Sequence, residues 1–268
     1  MFVSGVKADG SIKVRAVDNF TESMCNPCTK PTEKLRNDTL DLFFEVLRML
    51  SKKLGVAVPL RMFKADIDAA FRRVPLLPEH RRFAYVAFLV ERRTVIAGHA
   101  AMPFGSIASV HHWDRVGSLL CAIARRILKI PMLRYVDDFF SADRLVSADK
   151  AMDVFARLVR CCLGQTAVAK DKLECDNPLT ILGIRVTLNA EGVTFFPDEK
   201  KVEKWTSQIE SYLDVKRLTE GESSKLSGAL QWGSQKIFNR LGRAMLRPLI
   251  RCVLACGCFV TCFMCRHS

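Results

Sequence analysis

In the segment LRYVDDFFSA, residues 133–142, two adjacent aspartates interrupt residues suited to a buried strand. Leu133, Tyr135, Phe139 and Phe140 favour a pleated, packed surface. Asp137 and Asp138 repel each other and are costly to remove from water. Two arrangements reconcile these demands. The pair can form the tip of a tight hairpin, with both carboxylates solvated. Alternatively, the pair is neutralised by a divalent cation. The rest of the chain must decide between them.

The apolar pattern predicts an α+β chain to about residue 196 and helices beyond it. SIKVRAVDNF, residues 11–20, alternates like a half-exposed strand. Residues 39–54 repeat Leu40, Phe43, Phe44, Leu47 and Leu50 near helical spacing, and Gly55 suits the stop. LRMFKADI, residues 60–67, reads as a strand ending in acid, followed by a helical turn at 69–73 that Pro75 closes. Residues 82–96 read as a hairpin, residues 109–128 as a long helix, and residues 147–163 as another helix. TILGIRVTL, residues 180–188, reads as one strand that 192–196 can pair with. Residues 200–213 and 223–247 read as amphipathic helices.

At 268 residues, 49% of them apolar, the chain can bury one large core or two ordinary ones. Its charge is the informative total. Lys plus Arg number 41 against 28 Asp plus Glu, a formal net charge of +13, which points to a polyanionic partner. No apolar run is long enough to span a bilayer and the N-terminus lacks a signal-peptide pattern. The expectation is an intracellular protein, cytoplasmic or nuclear, not secreted, with no membrane partner and reduced thiols. Cys25 and Cys28 form a CxxC, and Cys252, Cys256, Cys258, Cys262 and Cys265 crowd the tail beside His267. The tail lacks the paired spacing of a zinc site, and so odd a stretch, RCVLACGCFVTCFMCRHS, is expected to lie outside the fold, over residues 251–268. There is no phosphate loop of the Walker type and no nucleophile elbow.

FKADIDAAF, residues 63–71, places Asp66 where a second apolar strand ends. Two adjacent strands could bring Asp66 beside Asp137 and Asp138. Three such carboxylates can hold two hard cations, which activate an attacking hydroxyl and stabilise a leaving pyrophosphate. That is the chemistry of nucleotidyl transfer.

The same segments resemble the motifs of reverse transcriptases. YVDD, residues 135–138, resembles their catalytic box. Asp66 followed by Ala70 and Phe71 resembles their first carboxylate motif. AMPFGSIASVHHW, residues 101–113, resembles the PFG box of retrotransposon enzymes, and TILGIRV, with Leu182-Gly183, the later LG strand at the primer grip. VRAVDNFTESMCN, residues 14–26, resembles the fingers segment. Residues 225–249 resemble the helical region after the palm in long-terminal-repeat and tyrosine-recombinase retroelements. The resemblance covers about residues 11–250 and has the boxes in the family's order.

The resemblance implies a right-hand polymerase palm, a small antiparallel sheet backed by helices. Residues 1–58 would be partial fingers, 59–196 the palm and 197–250 a thumb- or connection-like segment. It implies an RNA-directed DNA polymerase with two Mg²⁺ ions, Mn²⁺ as an alternative, an RNA or DNA template with primer, and dNTPs. Asp66, Asp137, Asp138 and the Ile67 carbonyl would ligate the metals. Phe71 would exclude a 2′-hydroxyl. Phe104 and Gly105 would lie beside the incoming base, and Arg15, or Lys13, would meet the triphosphate. Tyr135 would touch the primer end, Leu182 and Gly183 would form the grip, and Lys172, or Lys170, would protonate pyrophosphate. Asp68 is expected to be no ligand, and His111 and His112 to be template-proximal or structural. Fewer residues precede the V-D segment than in the family. A truncated remnant that binds nucleic acid without polymerising is therefore the alternative, and an RNA-directed RNA polymerase a more distant one. The sequence leaves the oligomeric state open.

Overall fold

A computed structural model describes residues 2–6, 12–55, 58–189, 191–235, 246–247 and 249–250; of strands 2–6 and 12–16 and of residues 232–235 it describes the backbone. In chain order, the first elements are strands β1 (Phe2–Val6) and β2 (Ile12–Ala16), the single-turn helix α1 (Cys25–Cys28) and helix α2 (Leu40–Leu54). Next come β3 (Leu60–Asp66), a 3₁₀ turn at Ala70–Arg73, the short helix α3 (Pro78–Arg81), and the hairpin strands β4 (Tyr85–Val90) and β5 (Arg93–Gly98). Helix α4 (Ile107–Arg126) leads to β6 (Leu133–Tyr135), β7 (Asp138–Arg144) and helix α5 (Ala148–Leu163). A 3₁₀ turn at Lys170–Lys172 precedes β8 (Leu173–Asp176), β9 (Leu179–Ile181), β10 (Ile184–Asn189) and β11 (Gly192–Pro197), and then α6 (Glu199–Val215) and α7 (Glu220–Gln235).

The chain divides into two units, each discontinuous in sequence. The first comprises residues up to Asp38 together with Met62–Cys175; the second comprises Thr39–Arg61 and the described residues from Asp176 onward.

In the first unit the central sheet has the order β6-β7-β3-β8, with β6 and β7 antiparallel. Alternation along each strand decides which side chains meet the helices. On β3, Phe63 and Ala65 enter the core, and Ile67 follows in the same register. Lys64 and Asp66 therefore share the opposite face. On β7, Phe139 enters the core and packs on Phe155 of α5, ring centroids 5.1 Å apart. Asp138 thus takes the same side of the sheet as Asp66. Helices α4 and α5 supply Trp113, Leu120, Ala151, Phe155 and Val159 to this core. A buried aromatic or aliphatic side chain of this size contributes roughly 1.5–3 kcal/mol relative to exposure.

In the second unit, α2 begins at Thr39, whose hydroxyl accepts from the Leu42 N–H at 3.3 Å, and ends at Gly55 with φ +96°. Its Phe44 meets Phe195 of β11 edge-on at 6.3 Å. The sheet has the order β11-β10-β9 and is antiparallel throughout. One correction to the sequence reading falls here. TILGIRVTL is two strands, β9 and β10, because Leu182 and Gly183 both have positive φ, 49° and 72°, and turn the chain back on itself. Residues 236–245 of the helix expected over 223–247, and the cysteine-rich tail, lie outside the described residues. Among the described residues, no helix is long and apolar enough to cross a membrane.

Candidate active site

Asp66 is the last residue of β3, and β3 lies next to β7. The β6–β7 hairpin turns through Val136 and Asp137, pairing Tyr135 with Asp138. The Ile67 N–H donates to the Asp137 carbonyl at 3.4 Å, which ties the end of β3 to that turn. Asp66, Asp137 and Asp138 are thereby electrostatic neighbours. Burial, then the charge of Asp137, then that of Asp66 push the Asp138 carboxyl up from 3.8 to about 6; Lys64 and Lys172 pull the other way.

Two lysines answer this negative charge. Lys172 Nζ bonds Asp66 Oδ2 at 2.5 Å, and that hydrogen bond is the main cause of its raised pKa. Lys64 pairs with Glu174 at 3.0 Å. Among the described residues, no three acidic, His or Cys side chains already form a closed metal cage. The donors present, carboxylates and the backbone oxygens beside them, are hard oxygen ligands of the kind Mg²⁺ takes. Their excess negative charge, visible in Asp138, fits a cation, and the Lys172 ammonium stands where positive charge is wanted.

The turn that carries Asp137 is strained and heavily braced. Val136 has φ 54°, a region a β-branched residue rarely adopts. Its carbonyl accepts from Trp113 Nε1 at 2.8 Å and from Arg134 Nη1 at 3.1 Å, while its N–H donates to Asn37 Oδ1 at 3.1 Å. Arg134 is only 3% exposed and its Nη2 reaches Asp114 Oδ1 and Ser118 Oγ. Asp38 closes the network, accepting from the Arg134 N–H at 2.9 Å and from Arg125 at 2.7 Å. Gly117 makes room: a Cβ there would lie 2.6 Å from Arg134 Cδ. Sequence reasoning assigned none of these bracing residues. The available signal was an arginine inside an otherwise apolar strand.

Phe71, in the 3₁₀ turn after β3, meets Phe104 with ring centroids 5.3 Å apart, and the Arg72 guanidinium lies 5.6 Å over the Phe104 ring. Gly105 follows with φ +96°, and any Cβ there would collide with the Asp18 carbonyl oxygen. The segment holding this loop is well bonded to it. The Asp18 N–H donates to the Phe104 carbonyl at 3.2 Å. Asn26 donates from Nδ2 to the Gly105 carbonyl at 2.8 Å and accepts from the Ile107 N–H at 3.0 Å, at the start of α4. His99 Nε2 stands 3.0 Å from Asp18 Oδ2. Asn26 lies in the segment quoted for its resemblance, but an asparagine in a single-turn helix carries no periodic signal that would mark its role.

The other expected site residues distribute as follows. Ile67 is buried in the core of the first unit. Tyr135 is half-buried and heads the hairpin pair with Asp138. Lys170 opens the 3₁₀ turn that Lys172 closes. Asp68 bonds Arg73 at 3.3 Å. His111 and His112 line a shallow pocket of about 140 Å³ with Lys30, Glu33 and Arg115. Leu182 and Gly183 form a turn of the second unit. The side chains of Lys13 and Arg15 lie outside the described residues.

No protein-family model matches the chain, and no curated protein matches it. Solved structures do. The foamy viral protease–reverse transcriptase in complex with double-stranded DNA aligns with a TM-score of 0.63 at 16% identity, over 96% of this chain and 39% of that one. The foamy viral protease–reverse transcriptase in complex with an RNA/DNA hybrid aligns with a TM-score of 0.57 at 16% identity, over 96% and 30%. The chain spans well under half of either protein. It has a reverse-transcriptase-like fold, which identity this low shows alone.

Proposed function

We propose that the chain is the core of an RNA-directed DNA polymerase, adding nucleotides to a primer 3′-hydroxyl under template direction. The observation that carries this reading is the gathering of Asp66, Asp137 and Asp138 at one strand end and one hairpin turn, on this fold. In the proposed assignment the β6-β7-β3-β8 sheet with α4 and α5 is the palm, within residues 59–196. Residues 1–58 are partial fingers and 197–250 a thumb- or connection-like segment. Nucleic acid as partner is supported by the net charge of +13 and by the DNA and RNA/DNA complexes of the structural neighbours.

Asp66, Asp137, Asp138 and the Ile67 carbonyl would hold two Mg²⁺ ions, or Mn²⁺ in their place. Bound there, the ions supply the Lewis acidity that an attacking hydroxyl and a departing pyrophosphate require. The chain's own groups do the rest. Lys172 releases Asp66 and, as an ammonium, donates a proton to the pyrophosphate oxygen. Phe71, backed by Phe104, closes the space a 2′-hydroxyl would need. Gly105 lets the backbone approach the incoming base. Arg15, with Lys13 as the alternative, grips the triphosphate, Tyr135 contacts the primer end, and Leu182-Gly183 forms the grip.

The test is primer extension on poly(rA)–oligo(dT) with dTTP and Mg²⁺, beside an Asp137→Asn, Asp138→Asn control. Extension by the wild type alone supports the reading. Extension with ribonucleotides in preference would assign an RNA-directed RNA polymerase instead. A second reading, binding of nucleic acid without polymerisation, is favoured by Lys172 already holding Asp66. Salt-dependent duplex binding without extension would select it.

A further inference from the structure

We propose that Cys25 and Cys28 are a dithiol modification site that low-molecular-weight disulfides convert to an intramolecular disulfide. Both thiols are exposed and free of disulfides, and Cys25 Sγ donates to the Ser23 carbonyl at 3.8 Å. They occupy the first and last positions of the single-turn helix α1, where the Cys28 N–H reaches the Met24 carbonyl at 3.1 Å. Helical geometry sets positions three apart at about 5 Å between Cα atoms. That falls inside the roughly 4.4–6.8 Å range of Cα separations found in disulfides, and the remaining approach of the Cβ atoms falls to a helix of a single turn.

Three of the other four described cysteines provide the contrast; the fourth, Cys175, is half-buried in β8. Cys161 and Cys162 are also exposed, but they are consecutive on α5. Consecutive helical residues diverge by about 100° and do not face each other. Cys121 is buried, and burial pushes its thiol up to about 11, away from the reactive thiolate. Exposure alone therefore does not distinguish Cys25 and Cys28; exposure with closing geometry does.

The reaction balances with glutathione disulfide as oxidant. One thiolate of the pair attacks a sulfur of glutathione disulfide, forming a mixed disulfide and expelling a glutathione thiolate. The second thiolate attacks the protein sulfur of that mixed disulfide and expels the second glutathione. The protein gives up two electrons and two protons, and glutathione disulfide becomes two glutathione thiols.

The location gives the modification a consequence. Asn26 sits between the two cysteines and holds both the Gly105 carbonyl and the Ile107 N–H. A disulfide across the turn ties down the backbone on either side of that amide. The proposal itself stands on the spacing and exposure of the two cysteines and is independent of the polymerase reading.

The test is peptide mapping by mass spectrometry after titrating the folded full chain with mixtures of glutathione and glutathione disulfide. The expected result is a peptide bearing Cys25 and Cys28 that has lost two hydrogens and carries no glutathione. Over the same range Cys161 and Cys162 stay thiols or gain glutathione. Cys28→Ser, with an unchanged circular dichroism spectrum, should convert the product to a glutathione adduct on Cys25. Stable adducts on both Cys25 and Cys28 of the wild type would overturn the proposal. So would persistence of both thiols while Cys161 and Cys162 react. The wild-type map decides even if the variant does not fold.

Discussion

Asp138→Asn is expected to make the cation-free protein more stable at neutral and alkaline pH, although it removes a group assigned to the active site. In the fold the Asp138 carboxyl is pushed from 3.8 to about 6, first by burial and then by Asp137 and Asp66. The sign follows from which state holds its proton more tightly. Below the unfolded value the group is protonated in both states and costs nothing. As pH rises the unfolded chain ionises first, and the folded state falls behind until its own carboxyl ionises. Above about 6 the full penalty applies. Each pH unit between the two values is worth about 1.4 kcal/mol, so the penalty reaches about 3 kcal/mol. Asparagine has nearly the same shape and no charge. Urea denaturation in the presence of a chelator should therefore find the variant near wild type at about pH 4 and more stable by about 1–3 kcal/mol at about pH 8. Added Mg²⁺ should narrow the gap by stabilising the wild type more. A variant no more stable than wild type at the higher pH would refute the picture of crowded, poorly solvated charge.

Three further outcomes follow from the same geometry. Arg134→Met strips the buried guanidinium from Asp114 and from the Val136 carbonyl, and should cost about 3–5 kcal/mol in urea denaturation, the usual result of leaving a buried partner uncompensated. Gly105→Ala forces a side chain onto the Asp18 carbonyl at φ +96°, so thermal denaturation should show a loss of about 1–3 kcal/mol, and primer extension should fall with it. Lys172→Gln removes the ammonium from Asp66; duplex binding by fluorescence anisotropy should stay close to wild type while extension falls by about 10²–10⁴-fold, the range for loss of a general acid.

Much of this arrangement is legible in the chain because local chemistry and the final structure agree. Thr39 and Gly55 bracket α2 as a cap and a stop should, and the apolar residues around Asp137 and Asp138 mark two strands with a turn between them. Asp66 at an apolar strand's end has the same plainness. Other features depend on partners far along the chain. Arg134 finds its place through Asp38, Asp114 and Val136, none of which a local pattern connects to it. TILGIRVTL has the composition of one strand, and only the backbone angles of Leu182 and Gly183 reveal the reversal. The two units are discontinuous, so contiguous segments of sequence do not outline them.

Helix α4 acts as a ruler. At its first residue, Ile107, the Asn26 clamp fixes the Phe104–Gly105 loop; at Trp113 the indole fixes the Val136 turn and with it Asp137. Six helical steps separate these anchors, about 9 Å of axial rise. The spacing between the aromatic loop and the carboxylates is thus counted in residues along one rigid rod. Lengthening that interval by a single residue would add about 1.5 Å and swing one anchor about 100° around the axis, so that the two could no longer be engaged together. Point substitutions on its outer face leave the count unchanged.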